Sequence, residues 1–297
     1  LDDQNFIEVE EDTALIDAKK LKEKLKVAQS KGTLPKVVIP VHLAGSCCDM
    51  EKIHELSTAY GFKVIEDASH AIGGKYQNQY VGNCRYSEIT VFSFHPVKII
   101  TSGEGGMAIT NNKGYEMTMK KLRSHGITKN VEEYQNAEKG PWYYEQQMLG
   151  YNYRMNDIQA ALGRSQLKRL DSIVETRNQK LRYYEQQLKK HENIRLLKIS
   201  PENLSAVHLA VTVIENKTKE QHKKIFEYLR ENNIGVQVHY TPIHLQPFYR
   251  SKGYSEGYLP VAEAYAESAI TIPLYPELSQ KEQDYVIKIL YEAIEYA

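Results

Sequence analysis

Three segments between Val37 and Asp67 restrict the fold more than anything else in the 297 residues. Val37-Val38-Ile39-Pro40-Val41-His42-Leu43 is a short β-branched run, apolar on both sides, as expected of a strand covered on both faces. Asp49 to Tyr60 sets Ile53 and Leu56 on one face and meets a stop at Gly61, which reads as a helix. Lys63-Val64-Ile65-Glu66-Asp67 reads as a second strand, ending in two carboxylates. Strand, helix and strand in such a short stretch form a βαβ unit, which closes by a right-handed crossover into a parallel sheet. The class is therefore α/β, and in open parallel sheets reactive groups gather in loops beyond the C-terminal strand ends.

The rest of the chain supplies more such elements. Asp17 to Ala28 patterns as an amphipathic helix stopped near Gly32. Glu88 to Phe94 and Gly106 to Thr110 pattern as strands, and Lys113 to Arg123 as a helix. Residues 124–150 read as irregular, with Gly140-Pro141-Trp142 marking a loop. Asn156 to about His191 is one long helical stretch, expected to be bent or broken. Beyond it come a strand (Ala206 to Ile214), a helix capped by Thr218 and running to Asn232, and strands at Gly235 to Tyr240 and Ala269 to Pro273. A last helix from Asp284 to Tyr296 is introduced by the capping box Ser279-x-x-Glu282. The expected division is a large domain over 1–165, a connecting helical region over 166–200, and a smaller C-terminal α/β domain over 201–297.

Charge and cysteine content exclude several function classes. The 38 Lys+Arg equal the 38 Asp+Glu, so no basic field draws the chain to nucleic acid or to an anionic membrane. No run approaches the length of a membrane span, and the first residues lack the pattern of an export signal; a cytoplasmic protein is expected. Cys47, Cys48 and Cys84 form neither a disulfide framework nor a CxxC pair, so no metal site is expected.

Two loops carry groups suited to catalysis. One is Glu66-Asp67-Ala68-Ser69-His70-Ala71-Ile72-Gly73. The other runs from Phe92-Ser93-Phe94-His95-Pro96-Val97-Lys98 to Ser102-Gly103-Glu104-Gly105-Gly106. A carboxylate at one strand end and a lysine at the next, with serine and glycines nearby, is what a pyridoxal phosphate site requires. The amine bonds the cofactor aldehyde, the carboxylate pairs with the pyridinium nitrogen, and hydroxyl and main-chain N–H groups hold the phosphate. By spacing alone Asp67 is equally a helix cap, Lys98 a solvated side chain and Gly103–Gly106 a hairpin turn. A nicotinamide enzyme is disfavoured, since no GxGxxG follows the Val37 strand.

Six ordered motifs nevertheless resemble the DegT/DnrJ/EryC1/StrS family of nucleotide-sugar aminotransferases. They are the Glu66–Gly73 loop, Phe92-Ser93-Phe94-His95-x-x-Lys98, Gly103-Glu104-Gly105-Gly106, Arg123-Ser124-His125-Gly126, the stretch from Gly150-Tyr151-Asn152-Tyr153-Arg154 to Gly163, and Gln237-Val238-His239-Tyr240-x-Pro242-Ile243. The resemblance covers nearly the whole chain. It implies a type I, aspartate-aminotransferase-like fold of a large, mainly parallel sheet domain with a smaller C-terminal domain, and pyridoxal 5'-phosphate as cofactor, passing through a pyridoxamine form (PMP). Lys98 would be the Schiff-base lysine and proton shuttle, Asp67 the partner of the pyridine nitrogen, and His70 a neighbour of the cofactor's phenolic oxygen. Ser93 would bind the phosphate. Asn152 would reach it from a partner subunit, which implies a homodimer. Gln237, Val238, His239 and Tyr240 match a segment contacting the nucleotide-sugar.

The same resemblance implies glutamate as donor and C4 of a 4-keto sugar as acceptor. Val41-His42-Leu43-Ala44-Gly45 with Cys48-Asp49-Met50 and Ser69-His70 is similar to the UDP-4-amino-4,6-dideoxy-N-acetyl-beta-L-altrosamine transaminase subgroup, which serves pseudaminic acid biosynthesis. Family members that dehydrate sugars carry histidine at position 98, so Lys98 favours amino transfer. A dehydratase, or an inactive cofactor-binding sensor of the same fold, is the alternative. Full-length members are longer at the N-terminus, where a phosphate-holding turn and a ring-stacking aromatic are expected. The chain opening at Leu1 without Met reads as a fragment lacking them.

Overall fold

The computed structural model describes residues 5–136 and 140–297. Helix α1 (Ala18–Lys31) begins where the Asp17 carboxylate accepts the Lys19 N–H at 2.7 Å, and it stops at Gly32, which takes φ +67°. Strand β1 (Val37–Val38), helix α2 (Met50–Tyr60) and strand β2 (Lys63–Asp67) form the βαβ unit, with Asp49 as N-cap and Gly61 as stop of α2. The expected strand through Leu43 is shorter because Pro40 interrupts it. Its carbonyl still accepts the Asp67 N–H at 2.9 Å, and Val41 rejoins β2 through a single bridge to Asp67. Strands β3 (Ile89–Ser93) and β4 (Gly106–Ile109) complete a four-stranded sheet in the order β1-β2-β3-β4, parallel as far as β3 and antiparallel at β4.

Helix α3 (Lys113–Arg123) follows, and the irregular stretch after it contains one short antiparallel pair, Ile127–Thr128 with Glu145–Gln146. The expected long helix is two, α4 (Asp157–Leu167) and α5 (Leu170–Leu188), broken at Lys168 and Arg169. A second sheet consists of β5 (Ile194–Leu196), β6 (Ala210–Ile214) and, beyond helices α6 (Lys219–Glu231) and α7 (Pro260–Ser268), β7 (Ala269–Ile272), in the antiparallel order β7-β6-β5. Helix α8 (Gln280–Tyr296) closes the chain, and both halves of its Ser279–Glu282 capping box are formed.

Two strand expectations need correction. Ala206–Leu209 does not join β6, because Val207 takes φ +51° and its neighbours bond to the Ala44–Gly45 main chain instead. Gly235–Tyr240 is not a ladder strand: only Gln237 bridges to Thr271, after which the chain turns towards the loops of the first sheet. Burial follows the two sheets. Leu21, Leu25, Met50, Ile53 and Val64 form one core with Cys47 and Cys48, and Ile214, Ile225, Leu229, Ile270 and Leu290 form another. A third cluster ties Ala68, Phe92, Phe94 and Ile99, on the loops beyond β2 and β3, to Val174 of α5 and to Ala206. Among the described residues no helix is long and apolar enough to cross a membrane.

Candidate active site

Strand β2 alternates, so its last two carboxylates part company. Glu66 is buried. It accepts hydrogen bonds from His42 Nε2 at 2.8 Å, from Thr90 Oγ1 at 3.0 Å and from the Ser87 hydroxyl. Burial alone would raise its carboxyl, yet these donors hold it below the ordinary carboxylate range. Cys47 Sγ lies 3.7 Å from the same His42 nitrogen, giving a buried His-Cys-Glu group of metal-ligating type. The Cys48 N–H, however, donates to His42 Nδ1 at 3.3 Å, which leaves the ring proton on Nε2, where it donates to Glu66. A ligating imidazole needs that proton on the other nitrogen. The group is a hydrogen-bonded brace under the strand end.

Asp67 points the other way. Its main chain is held by Pro40 and His42, and its Oδ1 accepts the Ser69 N–H at 3.0 Å. His70, three residues on, is buried. Its Nε2 lies 3.4 Å from the Tyr240 hydroxyl, and its ring packs on that of His208 with centroids 4.4 Å apart. Burial, then the charge of Lys98, push His70 down to about 4, against the opposing pull of Asp67. Lys98 stands in the loop after β3, where burial lowers the pKa of its amine while Asp67 draws it back up. His239 is lowered by burial and by Lys98, and its Nδ1 is 2.8 Å from Thr271 Oγ1. Asp67, His70, Lys98, His239 and Tyr240 thus share one site, between the loops of the first sheet and a segment beside the second.

The other expected residues stand outside that set of contacts. The Ser93 hydroxyl accepts the His95 N–H at 3.4 Å, at the end of the strand leading to Lys98. Gln237 is exposed, its main chain paired with Thr271, and it turns its own side chain onto the Val238 N–H at 3.0 Å. Asn152 is exposed and bridges through its main chain to Ser124. Two residues at the site escaped the sequence reading. His208 falls in a stretch that patterns as strand, and Arg177 lies within the long helical stretch with no signal of its own. Both are buried, and the Arg177 guanidinium donates to the Val207, His208 and Leu274 carbonyls.

The donor set fits pyridoxal phosphate. A lysine whose charge is destabilised by burial suits attack on an aldehyde, and a carboxylate stands at the neighbouring strand end. The buried Nδ1 atoms of His70 and His208 have no hydrogen-bond partner among the described residues.

Comparisons with known proteins bear on the family and the fold. The profile of the DegT/DnrJ/EryC1/StrS aminotransferase family matches residues 3–291. A UDP-4-amino-4,6-dideoxy-N-acetyl-beta-L-altrosamine transaminase of Campylobacter jejuni is 34% identical over 98% of this chain and 73% of its own length. The structure of Helicobacter pylori PseC, an aminotransferase involved in the biosynthesis of pseudoaminic acid, superposes with a TM-score of 0.88 at 28% identity, over 99% of this chain and 74% of that one. The sugar aminotransferase Spr1654 of Streptococcus pneumoniae, described as putative and solved in its PLP-form, superposes with a TM-score of 0.83 at 28% identity, covering 98% of this chain and 74% of that one.

Proposed function

The chain belongs to the DegT/DnrJ/EryC1/StrS aminotransferase family, and from that premise we propose that it moves an amino group from glutamate to C4 of a UDP-linked 4-keto-6-deoxy sugar. It is a sugar aminotransferase of the pyridoxal-phosphate-dependent class, with the type I fold. The acceptor follows from the Campylobacter relative, a UDP-4-amino-4,6-dideoxy-N-acetyl-beta-L-altrosamine transaminase, and the Helicobacter one, an aminotransferase involved in the biosynthesis of pseudoaminic acid. The observation that carries the reading is the half-buried Lys98, in the loop that follows β3, beside the parallel neighbour β2 that ends in Asp67.

Each side chain has a separate task in this reading. Lys98 would hold the cofactor aldehyde, Asp67 its ring nitrogen, Ser93 its phosphate, and His70 would lie beside its phenolic oxygen. The bound cofactor supplies an electron sink, so that a C–H bond beside nitrogen can lose its proton. Lys98 Nζ takes up that proton and returns it; its lowered pKa leaves more neutral amine at neutral pH than a solvated lysine would have. The Asp67 carboxylate, fixed by Ser69 and by its strand neighbours, meets positive charge without reorganising. Gln237, Val238, His239 and Tyr240 would contact the nucleotide-sugar, and Asn152 would reach the phosphate in a second copy of the chain. The large domain would be residues 1–165 and the small one 201–297, joined by 166–200.

The test is an absorption spectrum with pyridoxal phosphate, followed by borohydride reduction and peptide mapping. Label on the Lys98 peptide, and transfer of nitrogen from glutamate to a UDP-linked 4-keto sugar seen by mass spectrometry, are the expected results. Cofactor on another lysine, or deoxysugar and ammonia as products, would overturn the assignment.

A further inference from the structure

The segment ahead of β6 takes a route that its own sequence does not favour. Val207, a β-branched residue, sits at φ +51°, and its N–H is taken by the Ser205 hydroxyl at 3.0 Å. Two sets of contacts hold the kink. On one side the Ala206 N–H donates to the Gly45 carbonyl at 3.0 Å and the His208 N–H to the Ala44 carbonyl at 2.8 Å. Gly45 itself has φ +98°, and a Cβ there would stand 2.8 Å from Val207 N, 2.9 Å from His70 O and 3.0 Å from His208 N. A single glycine therefore spaces the His70 main chain from the His208 main chain. On the other side the buried Arg177 guanidinium reaches the carbonyls of Val207 at 3.2 Å, His208 at 3.4 Å and Leu274 at 3.1 Å.

All of this sets one imidazole on another. The two rings are tilted by 48°, both are buried, and each Nδ1 is enclosed without a hydrogen-bond partner among the described residues. Lys98, Asp67, His239 and Tyr240 act on the pair from the loops beyond β2 and β3 and from the segment after Gly235, and Arg177 acts from α5. Burial first, and then the charge of Lys98, lower both imidazoles, and Arg177 adds to the effect on His208.

We propose that His208 is a positioning residue of the site: its ring fixes the plane of His70 and shuts water away from it, so that His70 Nε2 stays aligned with the Tyr240 hydroxyl. The inference rests on the reading of His70 as a site residue. It concerns the ring of His208, so phenylalanine should replace it and alanine should not.

The experiment follows the His70 imidazole by NMR through a pH titration of the full chain, its signal assigned with His70→Asn, in the wild type, His208→Phe and His208→Ala. Steady-state kinetics with glutamate run alongside. His208→Ala is expected to raise the His70 midpoint from about 4 towards the ordinary 6.5, and to lower kcat by about tenfold or more with little change in KM. His208→Phe is expected to restore both. An unmoved His70 midpoint in His208→Ala would overturn the proposal, as would His208→Phe behaving like His208→Ala. If the alanine variant does not fold, the phenylalanine variant decides alone: a midpoint still low upholds the proposal and an ordinary one overturns it. Failure of the site reading is seen separately, as cofactor absent from Lys98 while His70 still responds to its neighbour.

Discussion

Lys98 and Asp67 illustrate why a reactive pair needs a fold around it. Neither is remarkable in sequence, and each becomes so only because β2 and β3 are parallel neighbours whose C-terminal ends open on the same side. Lys98→Arg keeps the positive charge but loses the nucleophilic amine, since a guanidinium stays protonated. It is expected to abolish cofactor trapping by borohydride and to lower turnover by at least about a thousandfold, while the thermal midpoint stays close to wild type. Mass spectrometry of the reduced protein checks this, and trapping at wild-type level would refute it. The buried imidazoles predict a pH dependence of stability. In the unfolded chain His70 and His208 bind protons near 6.5, whereas in the folded chain they stay neutral to about 4 and about 2. Between pH 6.5 and 4.5 the unfolded state therefore binds more protons, and stability falls as the pH falls, by about 1.4 kcal/mol per pH unit for each imidazole. Urea unfolding at several pH values should show that slope, and His208→Phe should reduce it by about one imidazole's share. At this scale the sequence singled out Asp67, His70 and Lys98, which the fold brings near one another, but not His208, because a strand-like pattern does not reveal a backbone kink imposed by Gly45 and Arg177.

Elements were most legible where a cap announces them. Thr218 and Ser279 each bond a main-chain N–H in the first turn of the helix that follows, as expected, and Asp17 and Asp49, where two helical patterns begin, prove to be caps of the same kind. Elements defined by distant partners were legible only in part: Gly235–Tyr240 has strand composition, but only Gln237 finds a bridging partner, and beyond it the Tyr240 hydroxyl comes to 3.4 Å from His70 Nε2. The stretch from Arg123 to Tyr153 shows the same limit. Its sequence reads as irregular, yet the His125 N–H donates to the Tyr151 carbonyl at 2.8 Å and the Gln147 N–H to the Gly126 carbonyl at 2.8 Å, placing Asn152 against Ser124. Gly126, at φ +71°, makes this possible, since a Cβ there would fall 1.8 Å from the Met148 carbonyl oxygen. Gly126→Ala must both strain the backbone and push two main chains apart, at a cost of about 3 kcal/mol or more. The expected outcome is a lower urea midpoint together with faster hydrogen exchange over residues 124–152. A midpoint equal to wild type would show that the two strands separate at no cost.

At the scale of the whole molecule, the apolar surface is distributed unevenly. Leu149 is 90% exposed, Ile158 83% and Tyr153 72%, and Tyr151, Leu162 and Leu167 are also open to solvent. They occupy the segment before α4 and α4 itself, a helix that buries no residue of its own within this chain. Such a concentration of large apolar groups marks an interaction surface on a folded chain. Asn152 lies in the middle of it, between Tyr151 and Tyr153, whose rings stack with centroids 4.7 Å apart. A homodimer formed through this face would cover the apolar groups and turn Asn152 towards the other copy, as the proposed phosphate contact requires. Leu149→Asp with Ile158→Lys places opposite charges where that interface would be dry. It is expected to leave the secondary structure intact, to shift the sedimenting species from dimer to monomer, and to weaken pyridoxal phosphate binding by about tenfold or more through loss of a charge-sharing contact. Asn152→Ala in an otherwise unchanged chain should weaken the cofactor while the dimer persists. If the double variant is monomeric yet binds pyridoxal phosphate as the wild type does, the site is complete in one chain and Asn152 has no part across the interface. If wild type itself sediments as a monomer at all accessible concentrations, this apolar face requires an occupant other than a second copy.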